Sequence, residues 1–502
     1  MSDDAGSLKR PAANSATALK RPKSDEDFAT CRERLLSQRY AKAAAAASLT
    51  VLSADEEALD REVLQPAISS AAINPNKNFL DFKKDYDDSA LLALLHRMPK
   101  GAVLHTHGIA TGDFNALVEI IRADGHFYVW QGDEAETVTG SMRSYGSGAA
   151  VPKDWHPAQN FTQEQLYQWL TLPLGLPNVE ACWKEFGKLW DRIRLVACVA
   201  PIYYGRNAVF WNTLQRYHDA NIMYLEIKEP LFAPWTDYDG TEVADEQIMV
   251  RFRDTVESFR ADHPGFLGAR MVMTCLKCQT EDEVRQAFRR AVALKKQFPD
   301  HVAGFDMAGP EDLLKPIRDY ATLLQEEKAA ALEQGIDFPL MIHAGETNIP
   351  EASQIFDAVA IGCERIGHGF ALARHPSLIV EVLALGISLE CCPISNQVLG
   401  YFPNLANHDA LGLFRAGVPL TISPDDPGMW HYFDVSYDFA AVAKAWNLSL
   451  IEVKALVRNS LLCSTLRGPQ KEEALTAWEK AWDAWVEAEL KSVSGIHVLS
   501  ML

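Results

Sequence analysis

A chain of 502 residues, 48% hydrophobic and 23% charged, has room for about three ordinary domains or one large barrel with additions, and excludes collagen-like, low-complexity and wholly disordered classes. With 48 Lys and Arg against 67 Asp and Glu, its net charge of −19 has the wrong sign for a phosphate backbone or an anionic lipid surface, so neither nucleic acid nor membrane is expected as a partner. The nine cysteines, an odd number set mostly in apolar runs, read as free thiols of a reducing compartment, and Cys275-Leu-Lys-Cys278 as two thiols near a strand end.

Residues 1–27, rich in Ser, Ala, Asp and Lys, are expected to form a disordered basic tail. They contain no apolar h-region, which predicts a cytoplasmic rather than a secreted protein. Lys9-Arg10 and Lys20-Arg21-Pro22-Lys23 resemble a bipartite nuclear import signal. Residues 28–97 read as an N-terminal helical extension, with an Ala-rich run over 40–47 and a capping box at Ser53-Ala-Asp-Glu56.

After Pro99-Lys100-Gly101 the pattern changes to eight short apolar runs: 102–107, 222–228, 270–276, 302–307, 339–343, 365–368, 387–390 and 419–423. Amphipathic stretches such as 281–298, 313–334 and 351–361 separate several of them. Eight strands with helical crossovers predict an α/β fold, a (β/α)8 TIM barrel built from 98–107 and 222–491. The 114 residues of 108–221 are too many for a structureless loop and are predicted as an insertion subdomain after the first strand. The last segment, 449–491, reads as helical, and its Trp478, Trp482 and Trp485 at i, i+4 and i+7 are expected to pack on the barrel.

The C-terminal ends of barrel strands carry catalytic groups. The first run ends in His105-Thr-His107, whose period-two alternation puts both imidazoles on one side. The fifth ends in His343-Ala-Gly-Glu346, the sixth in His368 and the eighth in Ser423-Pro-Asp425-Asp426. Three imidazoles and a carboxylate suit Zn2+ with a position left for water, so His105, His107, His343 and Asp425 are the expected ligands. Glu346, His368 and Asp426 are left for chemistry.

Six stretches, 98–107, 302–309, 343–346, 365–370, 392–399 and 423–427, resemble the adenosine deaminases, and are most similar to their growth-factor branch. The resemblance implies a zinc hydrolase that deaminates adenosine or 2′-deoxyadenosine. Glu346 would protonate purine N1 while water attacks C6, and His368 would orient and help deprotonate that water. Gly309 would offer its N–H to N3, and Asp426 would bond near N7. Trp183 lies in a stretch resembling one that lines the family's nucleoside pocket, with a core role as the alternative. The resemblance further implies a homodimer formed through the N-terminal helices. Where the branch usually has Asp after the second histidine stands Gly108, which implies weaker discrimination at the sugar 5′ position. The alternatives are a deaminase of another 6-aminopurine (adenine, a 5′-modified or an N6-substituted nucleoside), a non-catalytic binding or signalling relative, and a barrel hydrolase acting on an amide or ester.

Overall fold

The computed structural model describes residues 40–49, 51–130, 142–230 and 234–500, with residues 30, 32 and 38. The basic clusters Lys9-Arg10 and Lys20–Lys23 lie outside the described residues. Eight parallel strands follow one another around a barrel: β1 (Gly101–Val103), β2 (Ile222–Pro230), β3 (Gly268–Leu276), β4 (Val302–Ala308), β5 (Met341–Ala344), β6 (Arg365–His368), β7 (Ser388–Cys391) and β8 (Leu420–Ile422). Continuous ladders join β1 to β4 and β5 to β8. The Phe305 N–H donates to Pro339 O at 3.0 Å and closes β4 on β5. Between β8 and β1 the Asp425 N–H donates to His105 O at 3.2 Å, and the His107 N–H to Asp425 O at 3.1 Å. The seam that closes the barrel is therefore made by backbone of the expected ligands.

β1 is shorter than its apolar run, and His105 and His107 lie just past it, their backbone held in parallel bridges at Thr106 and His107. The helix expected over 313–334 begins only at Ala321, as Ala321–Glu333, after a 3-10 turn, Ile317–Tyr320, that follows Pro316. Pro316 disfavours the helical conformation in the residue before it, so the chain enters the helix late.

Residues between β1 and β2 form helices Phe114–Asp124, Gln163–Leu170, Val179–Ala197 and Val209–Asp219 around a three-stranded antiparallel sheet, Met142–Ser144, Phe127–Trp130 and Trp155–Pro157. Their buried Phe127, Leu166, Leu189 and Tyr217 share one contiguous core with Leu225 and Ile342 of the barrel. The N-terminal helices join that core through Leu59, Leu64, Phe79 and Leu91. Ser53 and Glu56 form the expected capping box. Glu56 also accepts from Trp482 Nε1 at 2.7 Å, on the C-terminal helix Pro469–Ser500, where Trp478, Trp482 and Trp485 are buried. Faces of the N-terminal helices thus pack on their own chain. Among the described residues no helix is long and apolar enough to cross a membrane.

Lys100, fully buried, ties this layer to the barrel, its Nζ within 3.0, 3.0 and 2.6 Å of His96 O, Met98 O and Ala220 O. Burial, against the opposing pull of Asp434, pushes its pKa down to about 7. Between pH 7 and 10 the unfolded chain then holds a proton that the folded chain releases, so this group makes stability rise with pH. In urea unfolding at the two pH values, Lys100→Met should flatten that rise; an unchanged slope would show that Lys100 stays charged.

Candidate metal centre and active site

The side chains predicted from separate strand ends meet in one buried cluster. Asp425 Oδ1 lies 3.3 Å from His105 Nε2 and 3.2 Å from His107 Nε2. Ligands around a tetrahedral ion with bonds of about 2.0–2.1 Å are spaced about 3.3 Å apart. The ring of His343 sits 4.5 Å from that of His105 and 5.3 Å from that of His107. His105 Nε2 and Asp425 Oδ1 are buried and face each other, and neither has a hydrogen-bond partner among the described residues. A metal cation is the partner that such a donor set fits.

Donor atoms of His105, His343, His368 and Asp425 lie within 4.8 Å of one another, and those of His107, Asp425 and Asp426 do likewise. Hydrogen bonds sort ligands from neighbours. Nδ1 of His105 meets Glu390 Oε2 at 2.8 Å and Nδ1 of His343 meets Asp306 Oδ1 at 2.9 Å. Both rings therefore donate through Nδ1 and turn the Nε2 lone pair inward, the usual outer support of metal-bound histidines. Ser395 Oγ donates to Asp425 Oδ2 at 2.7 Å, which leaves Oδ1 for the ion.

His368 is oriented the other way. The Ala410 N–H donates to His408 Nδ1, so the neutral His408 donates through Nε2 to Asn396 Oδ1 at 3.1 Å. Burial holds His408 neutral, with its pKa down at about 3. Asn396 must then present its amide N–H to His368 Nδ1, also 3.1 Å away, and the His368 proton sits on Nε2. That N–H lies 3.7 Å from Glu346 Oε1 and 3.9 Å from Asp425 Oδ2. In this tautomer His368 is a donor and not a ligand. Its expected role in deprotonating water narrows to orienting it.

Burial, reinforced by Asp425 and Glu311, pushes the Glu346 carboxyl well above the usual carboxylate range. Burial, with Asp425 and Glu346, does the same to Asp426, whose Oδ1 has no partner among the described residues. Both carboxyls are thereby biased towards the protonated form, in which each can donate. Two ligand-side residues carry strain: His368 and Asp425 adopt left-handed backbone, φ 61° and 63°, at a cost of about 1–3 kcal/mol each. Gly367 has no alternative, because a Cβ there would lie 3.0 Å from His105 Cε1 and 3.1 Å from His343 Cα. Gly309 turns the chain after β4 at φ 116°.

Sequence reasoning missed the charges under the site. Lys228 Nζ lies 3.4 Å from Asp306 Oδ2 and 3.3 Å from Glu390 Oε2, and all three side chains are fully buried. Arg365 reaches Glu390 and Glu226 at 2.6 Å each. Burial opposes ionising Asp306 and Glu390, yet His343 and Lys228 hold the first, and Lys228 and Arg365 the second, well below the usual range. The signal was present as charged residues inside strands that otherwise read as buried.

Two aromatic and polar expectations change. Trp183 is half-buried on helix Val179–Ala197, its ring 5.7 Å from Phe186 and 6.2 Å from Tyr401. The helix instead brings Trp190, two turns on, to 5.6 Å from His107. At Gly108 the side-chain space is occupied: a Cβ there would overlap Oε1 and Cδ of Glu229, with Oε2 at 2.8 Å. A carboxyl from β2 fills the space that the side chain left open, and burial pushes its pKa up to about 8. The described cysteines, Cys275 and Cys278 among them, are free thiols.

A closed parallel barrel with this donor set at the C-terminal ends of its strands defines a metal-dependent hydrolase of the (β/α)8 kind. Residues 179–480 match the family described as adenosine deaminase. The chain is 31% identical over 462 residues to adenosine deaminase 2-A of Danio rerio, covering 87% of this chain and 90% of that protein. It belongs to the adenosine deaminase family. Among solved structures it resembles a zinc-bound amidohydrolase from Burkholderia ambifaria, with a TM-score of 0.54, 18% identity and coverage of 80% of this chain and 95% of that one. It also resembles the Arabidopsis protein ADAL in complex with IMP, with a TM-score of 0.56, 16% identity and coverage of 78% and 98%. These likenesses show the shared fold.

Proposed function

We propose that this protein hydrolyses adenosine and 2′-deoxyadenosine to inosine and deoxyinosine with release of ammonia, using Zn2+ held by His105, His107, His343 and Asp425. One observation carries the reading: Glu346, a buried carboxyl whose pKa is raised by burial, stands 3.7 Å from His368 Nε2 beside His105, His107, His343 and Asp425. Zn2+ in such a site is a Lewis acid that brings the pKa of water to about 7 and so supplies a nucleophile at neutral pH.

The chain's own groups do the rest. Glu346 donates its proton to purine N1, which removes aromatic stabilisation at C6 and opens that carbon to attack. As the C6–O bond forms and the C6–N bond breaks, the carboxylate left on Glu346 takes one proton of the attacking water, and the other goes to the departing amino group, which leaves as ammonia. His368, neutral because burial lowers its pKa well below 6.5, directs its Nε2–H at the attacking water. Asp426 donates to N7, an acceptor that only a protonated carboxyl can satisfy. Gly309 offers its N–H to N3. Trp190 packs edge-on against the His107 ring, 5.6 Å away, on the side of the inserted segment.

Purified zinc-loaded protein should lower the ultraviolet absorbance of adenosine as the amino group is lost, and a chelator should stop it. The panel includes 2′-deoxyadenosine, adenine, AMP and 5′-deoxy-5′-methylthioadenosine. Turnover of another member without adenosine would move the reading to a different 6-aminopurine. Silence throughout would remove it.

A further inference from the structure

Glu311, on the loop after β4, has no part in the chemistry above, yet it is buried and its carboxyl reaches across to the neighbouring strand end. Its Oε2 accepts the Glu346 N–H at 3.1 Å. The next residue repeats the contact one step further on: Thr347 Oγ1 donates to Asp312 Oδ1 at 2.5 Å. Glu311 is itself fixed, because Gln354 Nε2 donates to its carbonyl oxygen at 3.2 Å. Lys277, fully buried just past β3, offsets the charge of the Glu311 carboxyl, and its Nζ lies 2.7 Å from His343 O.

These bonds hold a segment that contains a hinge. Gly345, at φ 70°, turns the chain between the candidate ligand His343 and the acid Glu346. Glycine has little preference for one backbone conformation, so the direction of the Glu346 side chain relative to the metal donors depends on what anchors it beyond the turn. Before the turn, Asp306 Oδ1 takes both the N–H and the Nδ1 of His343, at 3.1 and 2.9 Å. After it, Glu311 takes the N–H of Glu346. Burying a carboxyl is costly, and a backbone carbonyl could have accepted the same bond. A side chain reaching over from the adjacent loop does more, because it fixes where the two strand ends stand relative to each other.

We propose that Glu311 is the positioning residue of the proton donor: its carboxyl holds the Glu346 backbone so that the Glu346 side chain is aimed at purine N1, and it acts on the reaction only through Glu346. This inference rests on the deaminase reading and concerns the same site. Proton transfer needs its two partners within hydrogen-bond reach, and a displacement of about 1 Å can cost about a hundredfold in rate. A residue that acts only through Glu346 has nothing left to act on once that side chain is gone, so the two effects must not add.

The test compares the full-length zinc-loaded protein with Glu311→Ala, Glu311→Asp and Glu311→Gln. Glu311→Ala should lower kcat for adenosine about tenfold to a hundredfold and leave KM within about threefold of wild type. Glu311→Asp keeps the charge but is one methylene short, and should lose about as much. Glu311→Gln keeps an acceptor oxygen at the same reach, and should recover most of kcat. 1-Deazaadenosine, in which carbon replaces N1, should bind all four proteins equally, because it has no N1 to receive the proton. In a Glu346→Ala background, Glu311→Asp should have no further effect on the residual rate. Zinc content and melting temperature show that each variant is folded and loaded. Should Glu311→Ala fail to fold, Glu311→Asp and Glu311→Gln, which keep a polar group of nearly the same size, carry the comparison. A kcat for Glu311→Asp within about twofold of wild type, weaker binding of 1-deazaadenosine, or an equal loss in the Glu346→Ala background would overturn the assignment. Absence of purine turnover by the zinc-loaded wild type would instead remove the deaminase reading itself.

Discussion

Glu346→Gln is expected to lower kcat for adenosine between about a hundredfold and ten-thousandfold, or about 3–5 kcal/mol of transition-state stabilisation, while zinc content stays at the wild-type level. The amide keeps the shape and can still hydrogen-bond purine N1, but it has no acidic proton to transfer. Glu346 is not among the expected ligands, and its backbone N–H remains anchored on Glu311 Oε2 at 3.1 Å, so the site should stay assembled. The pH dependence follows from the direction of the shift. Burial and the neighbouring carboxylates raise the Glu346 pKa, so the active, protonated form persists above the ordinary carboxyl range, and kcat is lost as pH rises through the raised value. Glu346→Gln should lack that alkaline limb. Retention of more than about a tenth of wild-type kcat would show that N1 takes its proton from another group.

Lys228→Met is expected to destabilise the fold by about 3–5 kcal/mol, because removing one partner from a buried ionic cluster leaves the others uncompensated. Lys228 and Arg365 together face Asp306, Glu390 and Glu226, so the variant sets three buried carboxylates against one guanidinium. The acid limb should move as well. Asp306 and Glu390 have depressed pKa values, so their contribution to stability is present above the unfolded-state value and is lost as pH falls through the folded one. Without Lys228 both folded values rise, and acid unfolding should begin at a higher pH. Urea unfolding of the metal-free protein at neutral pH, followed by an acid titration, reads both effects. A loss below about 1 kcal/mol would mean that the cluster relaxes around water or takes up protons at no cost.

Much of the barrel was legible because its strands are buried on both faces and read as uninterrupted apolar runs, while the crossover helices keep a 3.6-residue period. Helix Glu281–Gln297 and the capping box at Ser53 depend only on local spacing. The inserted segment was visible only as a length, since strands such as Met142–Ser144 are too short to carry a period. Trp183 and Trp190 lie on one face of the same helix, and no sequence rule says which of them meets His107.

The sequence by itself determined which residues could bind a metal, because His105, His107, His343 and Asp425 stand at strand ends and a parallel barrel sends all its strand ends to one face. Only the tertiary structure decided what their neighbours do. The His368 tautomer is set through Asn396 by His408, and the charges of Asp306 and Glu390 through Lys228, three strands apart in the barrel order. Gly108 reads as a missing acceptor until β2 is seen to fill the gap with Glu229. The reason is physical: a backbone pattern is a property of adjacent residues, whereas protonation, tautomer and vacancy depend on whatever the fold places within a few ångströms, at any separation along the chain.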